Sequence, residues 1–265
     1  MMTDRQGIDT EWGRIGCTTR GSGGVPLLFL HGVGSDRSAW DGQVDAFGAE
    51  RLAIAIDMPG YGNSEPGHLE VEGRKDFAAA ALAVLDALGV EQAHVCGLSL
   101  GGVIALAMTS MAPTRVASVV LADTFARHPE GEAILERSLA GAASLGMAGL
   151  ADSRADALLA QPADPAVRRE VVDTMSRIDP AAYARAAEAV WLADQKHEAA
   201  TLSCPALILY GSQDRITPPA LSEELKSLIP HAGLIEITGA GHLPNLEQPA
   251  IFDRVLAAFL ADVER

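Results

Sequence analysis

Six short, nearly uninterrupted apolar runs set the strongest limit on what this chain can fold into. They are PLLFLHG (26–32), RLAIAIDMPG (51–60), AHVCG (93–97), VASVVLAD (116–123), ALILYG (206–211) and GLIEIT (233–238). A strand with one face in water alternates polar and apolar side chains. A run lacking that alternation has to be covered on both faces, as in a parallel sheet. Between the runs the pattern is helical. DFAAAALAVLDALG (76–89) is rich in Ala and Leu and stops at glycine. LGGVIALAMTSMAP (100–113) ends at proline, and PPALSEELKSLIP (218–230) and PAIFDRVLAAFLADVER (249–265) begin after one. Strands alternating with helices predict an α/β fold with a mostly parallel, twisted sheet flanked by helices. EWGRIGCTTRG (11–21) has the look of an antiparallel hairpin at the sheet edge.

One region breaks the rhythm. Residues 125–200 contain no strand-like run; they are Ala-rich, helix-like at 132–144, 152–159, 166–178 and 181–194, and punctuated by Pro162, Pro165 and Pro180. The strand pattern resumes at once with ALILYG. The expectation is therefore one core built from 1–124 and 201–265, with 125–200 inserted as a helical cap between late core strands.

Composition excludes several partners. With 20 Lys+Arg against 35 Asp+Glu, the formal charge is −15, so no basic stripe exists to displace counterions from a nucleic acid. No apolar run approaches the eighteen or so residues of a membrane span, and MMTDRQGIDTEWGRIG at the start lacks a secretory h-region. A cytoplasmic protein without membrane contact is expected. Cys17, Cys96 and Cys204 are too scattered for a disulfide framework or a metal site, and reduced, mostly buried thiols are expected.

The chemistry is concentrated around HVCGLSLGGVIAL. Gly97-Leu98-Ser99-Leu100-Gly101 fits G-x-S-x-G, a pattern that a chain of this composition would contain by chance with a frequency on the order of 0.1. Its setting makes it specific: a strand-like run precedes it and a helix-like run follows. A tight strand-to-helix turn there would lift the Ser99 hydroxyl to the carboxyl edge of the sheet, at a helix N-terminus that favours negative charge. A serine hydroxyl needs a base, and the base needs an orienting carboxylate. His242, in ITGAGHLPNLEQP, follows the last strand on a Gly-rich loop; Asp214, in LILYGSQDRITPP, follows the preceding strand. Asp123, at the end of VVLAD, is the alternative acid. Two N–H groups should hold an oxyanion. One is that of Leu100; the other comes from the loop after the first central strand, where Val33 is chosen and Gly34 is its neighbour alternative. His31 in that loop is read as a structural brace.

HGVGSDRSAW, DMPGYGNSEP, GLSLGG, YGSQDRITPP and GAGHLPNLEQP together make the chain similar, over nearly its whole length, to the α/β-hydrolase superfamily of serine hydrolases. That resemblance implies the α/β-hydrolase fold and catalytic roles for Ser99, Asp214 and His242. It implies scaffold roles for Trp40, Asp57, Gly60 and Gly62, and a cap made by the helical insertion. Within the superfamily, 113–127, 179–211 and GHLPNLEQP most resemble the 3-oxoadipate enol-lactonase and carboxylesterase group.

The expected function is hydrolysis of a small-molecule ester or lactone through an acyl-enzyme, with 3-oxoadipate enol-lactone as one substrate to consider and no metal or organic cofactor. A serine nucleophile argues against the dehalogenases and epoxide hydrolases, which attack with a carboxylate. Leu243 after the histidine argues against C–C hydrolases, which carry an aromatic there. Those hydrolases, a cofactor-free perhydrolase and a non-catalytic ligand receptor are the remaining alternatives. An anionic substrate would need a cation. Arg37 lies just past the oxyanion loop and Arg127 at the entrance to the cap, and both are read as solvated surface residues.

Overall fold

A computed structural model of the chain describes residues 4–67 and 73–265. Residues 1–3, the start of the polar N-terminal stretch, lie outside them. Eight strands form one sheet: β1 Asp4–Thr10, β2 Gly13–Arg20, β3 Leu27–Leu30, β4 Ala53–Ile56, β5 Ala93–Leu98, β6 Val116–Ala122, β7 Ala206–Gly211 and β8 Gly233–Ile237. Their order is β1-β2-β4-β3-β5-β6-β7-β8. The pairs β1/β2 and β2/β4 are antiparallel, and every other neighbouring pair is parallel. This is an α/β-hydrolase fold.

The uninterrupted apolar runs are explained by two cores. Along β3, Leu28 and Leu30 enter one hydrophobic cluster, whereas Leu27 and Phe29 enter the other. Helices α2 (Arg74–Ala87), α3 (Leu100–Met111) and α8 (Pro219–Leu228) supply side chains such as Phe77, Val103 and Leu225 to the first. Helices α1 (Asp41–Phe47) and α10 (Pro249–Val263) supply Val44, Phe252 and Leu256 to the second. Trp40 is fully buried there and stacks on Phe29 at 4.9 Å between ring centroids. Period-2 alternation operates, but both phases of it are apolar because both faces are covered.

The polar edge strand β1 went unread in the sequence. The hairpin expected within 11–21 is displaced: those residues supply the turn at Glu11-Trp12 and the one strand β2. The pairing strand is DRQGIDT before them, which lacks an apolar period because one edge and much of one face meet solvent. Between β6 and β7 the described chain forms α4 (Gly131–Leu158), α5 (Pro165–Ser176), α6 (Pro180–Trp191) and the short α7 (Lys196–Ala200). The helix-like patches at 132–144 and 152–159 fall on the two halves of α4, which are separate helices divided where Gly146 takes the non-helical φ 67° and ψ 173°. Asp164 and Asp179 each cap the N-terminus of a helix whose first residue is proline. A four-residue turn of helix, α9 (Pro244–Glu247), follows β8.

Candidate active site

The strand β5 and the helix α3 meet at Ser99. The turn is tight enough that Ser99 adopts φ 54° and ψ −113°, a region in which a non-glycine residue is strained by roughly 1–3 kcal/mol. Two glycines make the turn possible. A Cβ on Gly97 would stand 2.1 Å from the Gly101 carbonyl oxygen, and one on Gly101 would stand 2.1 Å from that of Leu30. The strain is held by hydrogen bonds on both sides of Ser99. Its N–H donates to the Ala122 carbonyl at 2.9 Å. Its own carbonyl accepts from Gly102 N at 2.9 Å, Val103 N at 3.1 Å and Thr124 Oγ1 at 2.9 Å.

His242 and Asp214 come from the loops after β8 and β7, and Asp214 Oδ2 accepts from His242 Nδ1 at 2.9 Å. Both residues are buried. With its proton on Nδ1 facing the carboxylate, the neutral ring keeps its lone pair on Nε2. Asp214 is itself fixed. Its Oδ1 accepts from Ile216 N at 2.7 Å and Thr217 N at 3.1 Å, and its Oδ2 also accepts from Thr217 Oγ1 at 2.6 Å. Burial pushes the Asp214 carboxyl up, but the imidazole charge, the histidine hydrogen bond and the Thr217 hydroxyl outweigh it and hold the group at about 2.

Asp123, the alternative acid, lies beside this pair but does not bond the imidazole. Its Oδ1 accepts from Gly211 N at 2.8 Å, and its carboxyl is hydrogen-bonded to Asp214, the protonated Asp123 donating to the Asp214 carboxylate. Burial, and then the Asp214 charge, raise its pKa well above the ordinary carboxylate value. The two carboxyls are thus driven apart in protonation: Asp214 is the anion and Asp123 the neutral acid. Among the described residues, Asp123, Asp214 and His242 are also the one group whose ligating atoms lie within metal-binding distance, 4.8 Å of one another. Asp214 already accepts four hydrogen bonds, so this group reads as a proton-handling cluster.

The loop after β3 runs past Ser99: a Cβ built on Gly32 would lie 3.5 Å from Ser99 Cβ. No hydrogen bond among the described residues uses the Val33 N–H, while the Val33 carbonyl accepts from Tyr61 Oη at 3.0 Å. Leu100 opens α3, so its N–H has no intrahelical acceptor. His31 braces the loop. Its Nε2 accepts from Met58 N at 3.0 Å, which puts the ring proton on Nδ1, bonded to the Gly32 carbonyl at 2.9 Å.

Two arginines part company. Arg37, expected at the surface, is buried. It pairs with the fully buried Asp57 and donates from Nε to Thr18 Oγ1 at 3.0 Å and from Nη2 to Asn63 Oδ1 at 3.0 Å. Its charge is consumed in anchoring the loop, so the surface reading is corrected. Arg127 does sit at the surface, 3.8 Å from Asp194. Neither lines the cleft.

That cleft encloses about 580 Å³ of non-atom space, open at its mouth, and Ser99 and His242 line its floor with Gly32, Val33 and Leu243. Its other wall comes from the helical segment: Arg154 and Leu158 of α4, Glu170, Val171 and Thr174 of α5, and Trp191 of α6. Glu247 is the functional residue that sequence reading missed. Its carboxylate collects the N–H groups of Gly241 at 2.9 Å, Leu243 at 3.2 Å and Ala160 at 2.6 Å, while His242 N donates to the Leu158 carbonyl at 2.7 Å. The histidine loop is thereby tied to the end of α4. The only signal was an acid four residues after Leu243, which sequence alone does not distinguish from a helix-start glutamate.

Comparison with known proteins is consistent with this arrangement. The model of the Alpha/beta hydrolase family matches residues 27–255. The chain is 31% identical over 258 residues to the dihydrolipoyllysine-residue acetyltransferase component of the acetoin cleaving system of Pseudomonas putida, covering 94% of this chain but 66% of that longer protein. It is 27% identical over 268 residues to 3-oxoadipate enol-lactonase 1 of Acinetobacter baylyi, covering 100% of this chain and 97% of that one. Among solved structures, a thermophilic esterase from Thermogutta terrifontis superposes with a TM-score of 0.89 at 28% identity, over 99% of this chain and 100% of the esterase.

Proposed function

The chain belongs to the alpha/beta hydrolase family, and from that premise we propose that it hydrolyses a small ester or lactone through an acyl-enzyme on Ser99. The observation that carries the reading is the strained Ser99 at the strand-helix turn, opening into the same cleft as an imidazole whose Nδ1 is bonded to a buried carboxylate. Relatives and neighbours named as enol-lactonase and esterase support an enzyme acting on carboxylic ester bonds. The enol-lactonase likeness over the full chain makes 3-oxoadipate enol-lactone the first natural substrate to assay.

In this mechanism His242 Nε2 takes the Ser99 proton as Oγ attacks the carbonyl carbon. Asp214 stabilises the imidazolium that forms and keeps the ring in register. The N–H groups of Val33 and Leu100 accept the negative charge that develops on the carbonyl oxygen. Collapse expels the alkoxide, to which His242 returns the proton. Water, deprotonated by the same Nε2, then cleaves the acyl-enzyme and restores Ser99. A lactone gives a single product, because its leaving oxygen stays tethered. Residues 125–200 act as the cap that closes one side of the cleft with Leu158, Val171 and Trp191 and limits access of bulk water, so the oxyanion contacts operate at lower dielectric.

The reading is tested with a panel of lactones, enol-lactones and p-nitrophenyl esters of graded chain length, followed by acid release. Turnover of short esters or lactones is expected. Inactivity on every member, by protein that melts cooperatively, would refute it.

A further inference from the structure

Arg154 faces the cleft without an acid to answer it. Its Nη1 donates to Ser138 Oγ at 2.9 Å and to Tyr183 Oη at 3.3 Å, both neutral hydroxyls of buried residues. Among the described residues no carboxylate lies within 4.0 Å of its guanidinium. Arg37, Arg51, Arg74 and Arg168 each have an acidic partner, whereas Arg154, like Arg177 and Arg215, has none among the described residues; of these Arg154 alone lines the cleft with Ser99 and His242. The one acid on the cleft wall, Glu170, has Asp41 and Asp36 as its charged neighbours, not Arg154. Beyond Arg154 a second hollow, which shares Trp191 and Ile216 with the cleft, carries Arg137 and Arg215 against a single acid, Glu130.

A half-buried guanidinium on the wall of a largely apolar cleft is the group there that can meet an anion. Its planar fork suits a carboxylate, and the two hydroxyls on Nη1 pre-orient it. We propose that Arg154 is the anchor for a carboxylate of the substrate, and that the enzyme acts on esters or lactones bearing a free carboxylate besides the bond to be cleaved. The specificity claim rests on the hydrolase reading above; the anion site itself does not.

The test compares kcat/KM for matched pairs: mono-p-nitrophenyl succinate and glutarate against p-nitrophenyl butyrate and valerate, and 4-acetoxybenzoate against phenyl acetate. These place the carboxylate in the acyl half and in the leaving half respectively. Wild type is expected to favour the anionic member of at least one pair. Arg154→Met should cut that anionic-to-neutral ratio by about 10- to 100-fold, chiefly through KM, and Arg154→Lys should restore part of it. Glutarate binding, followed by tryptophan fluorescence because Trp191 lines the cleft, should weaken in parallel. No anionic preference in wild type, or a ratio unchanged in Arg154→Met, would overturn the proposal. If no ester is cleaved yet glutarate binding depends on Arg154, the anion site stands and the hydrolase reading falls. If neutral esters are cleaved and glutarate does not bind, the reverse holds.

Discussion

Two aspartates that sequence could rank but not separate are separated by their neighbours. Asp214 faces donors on both oxygens and bonds the imidazole, whereas Asp123 accepts one backbone N–H and shares its proton with Asp214. Asp214→Asn should therefore lower kcat by roughly 10³–10⁴, since an amide turns the imidazole to the wrong tautomer. Asp123→Asn should keep most of the turnover; the reverse pattern in steady-state kinetics would reassign the acid. Stability separates them as well. A carboxyl raised on folding keeps a proton that the unfolded chain releases, so above its ordinary value of 3.8 it makes stability fall as pH rises. Asp123→Asn removes that loss. The advantage of the variant in urea unfolding should grow as pH rises above 3.8, and a flat difference would count against a protonated Asp123. Asp214, depressed to about 2, has the opposite sign: its contribution is present above 3.8 and disappears as pH falls towards 2.

The elements that carry the site were legible to different degrees. The strand-turn-helix at Ser99 could be read because its glycines and serine form a local pattern between a strand-like and a helix-like run, although the contact that demands Gly101 is with Leu30 on β3. Gly101→Ala would drive a methyl into the Leu30 carbonyl and should cost about 3 kcal/mol or more, or prevent folding, measurable as a lowered or absent melt. The helices of 131–191 could be predicted as helices but not oriented, because small alanines leave no sharp apolar face from which to infer what points into the cleft. Arg154 was invisible for that reason, and Arg37 was misjudged because its partner Asp57 lies 20 residues away on another loop. Glu247 joins two segments 87 residues apart, a relation no local pattern encodes. Glu247→Ala strands three N–H groups. It should destabilise by roughly 2–4 kcal/mol and lower kcat, whereas Glu247→Gln, which keeps an acceptor oxygen, should lose less. An unchanged melt for Glu247→Ala would show that the histidine loop is held by other contacts.

The sheet as an object follows from the apolar runs: strands covered on both faces, helices in two layers, and cleft-lining residues gathered at the carboxyl ends of β3, β5, β7 and β8. No helix among the described residues is long and apolar enough to cross a membrane. Burial also leaves a global mark on titration. It lowers His31, His94 and His128 below 6.5, so the folded protein resists protons that the unfolded chain accepts. Their contribution to stability should be full above 6.5 and fall as pH drops below it, opposite in sign to that of Asp123. The test is therefore the difference in thermal midpoint between wild type and His31→Gln, which should shrink as pH falls below 6.5; a constant difference would contradict a buried neutral His31. The acyl-enzyme itself is open to a covalent probe. Treatment with a fluorophosphonate should stop ester hydrolysis with one equivalent bound, mapped by peptide mass spectrometry to Ser99, and neither Ser99→Ala nor His242→Ala should be labelled at the same rate. Full hydrolytic activity in Ser99→Ala, or inactivation with the label on another residue, would contradict a nucleophilic Ser99.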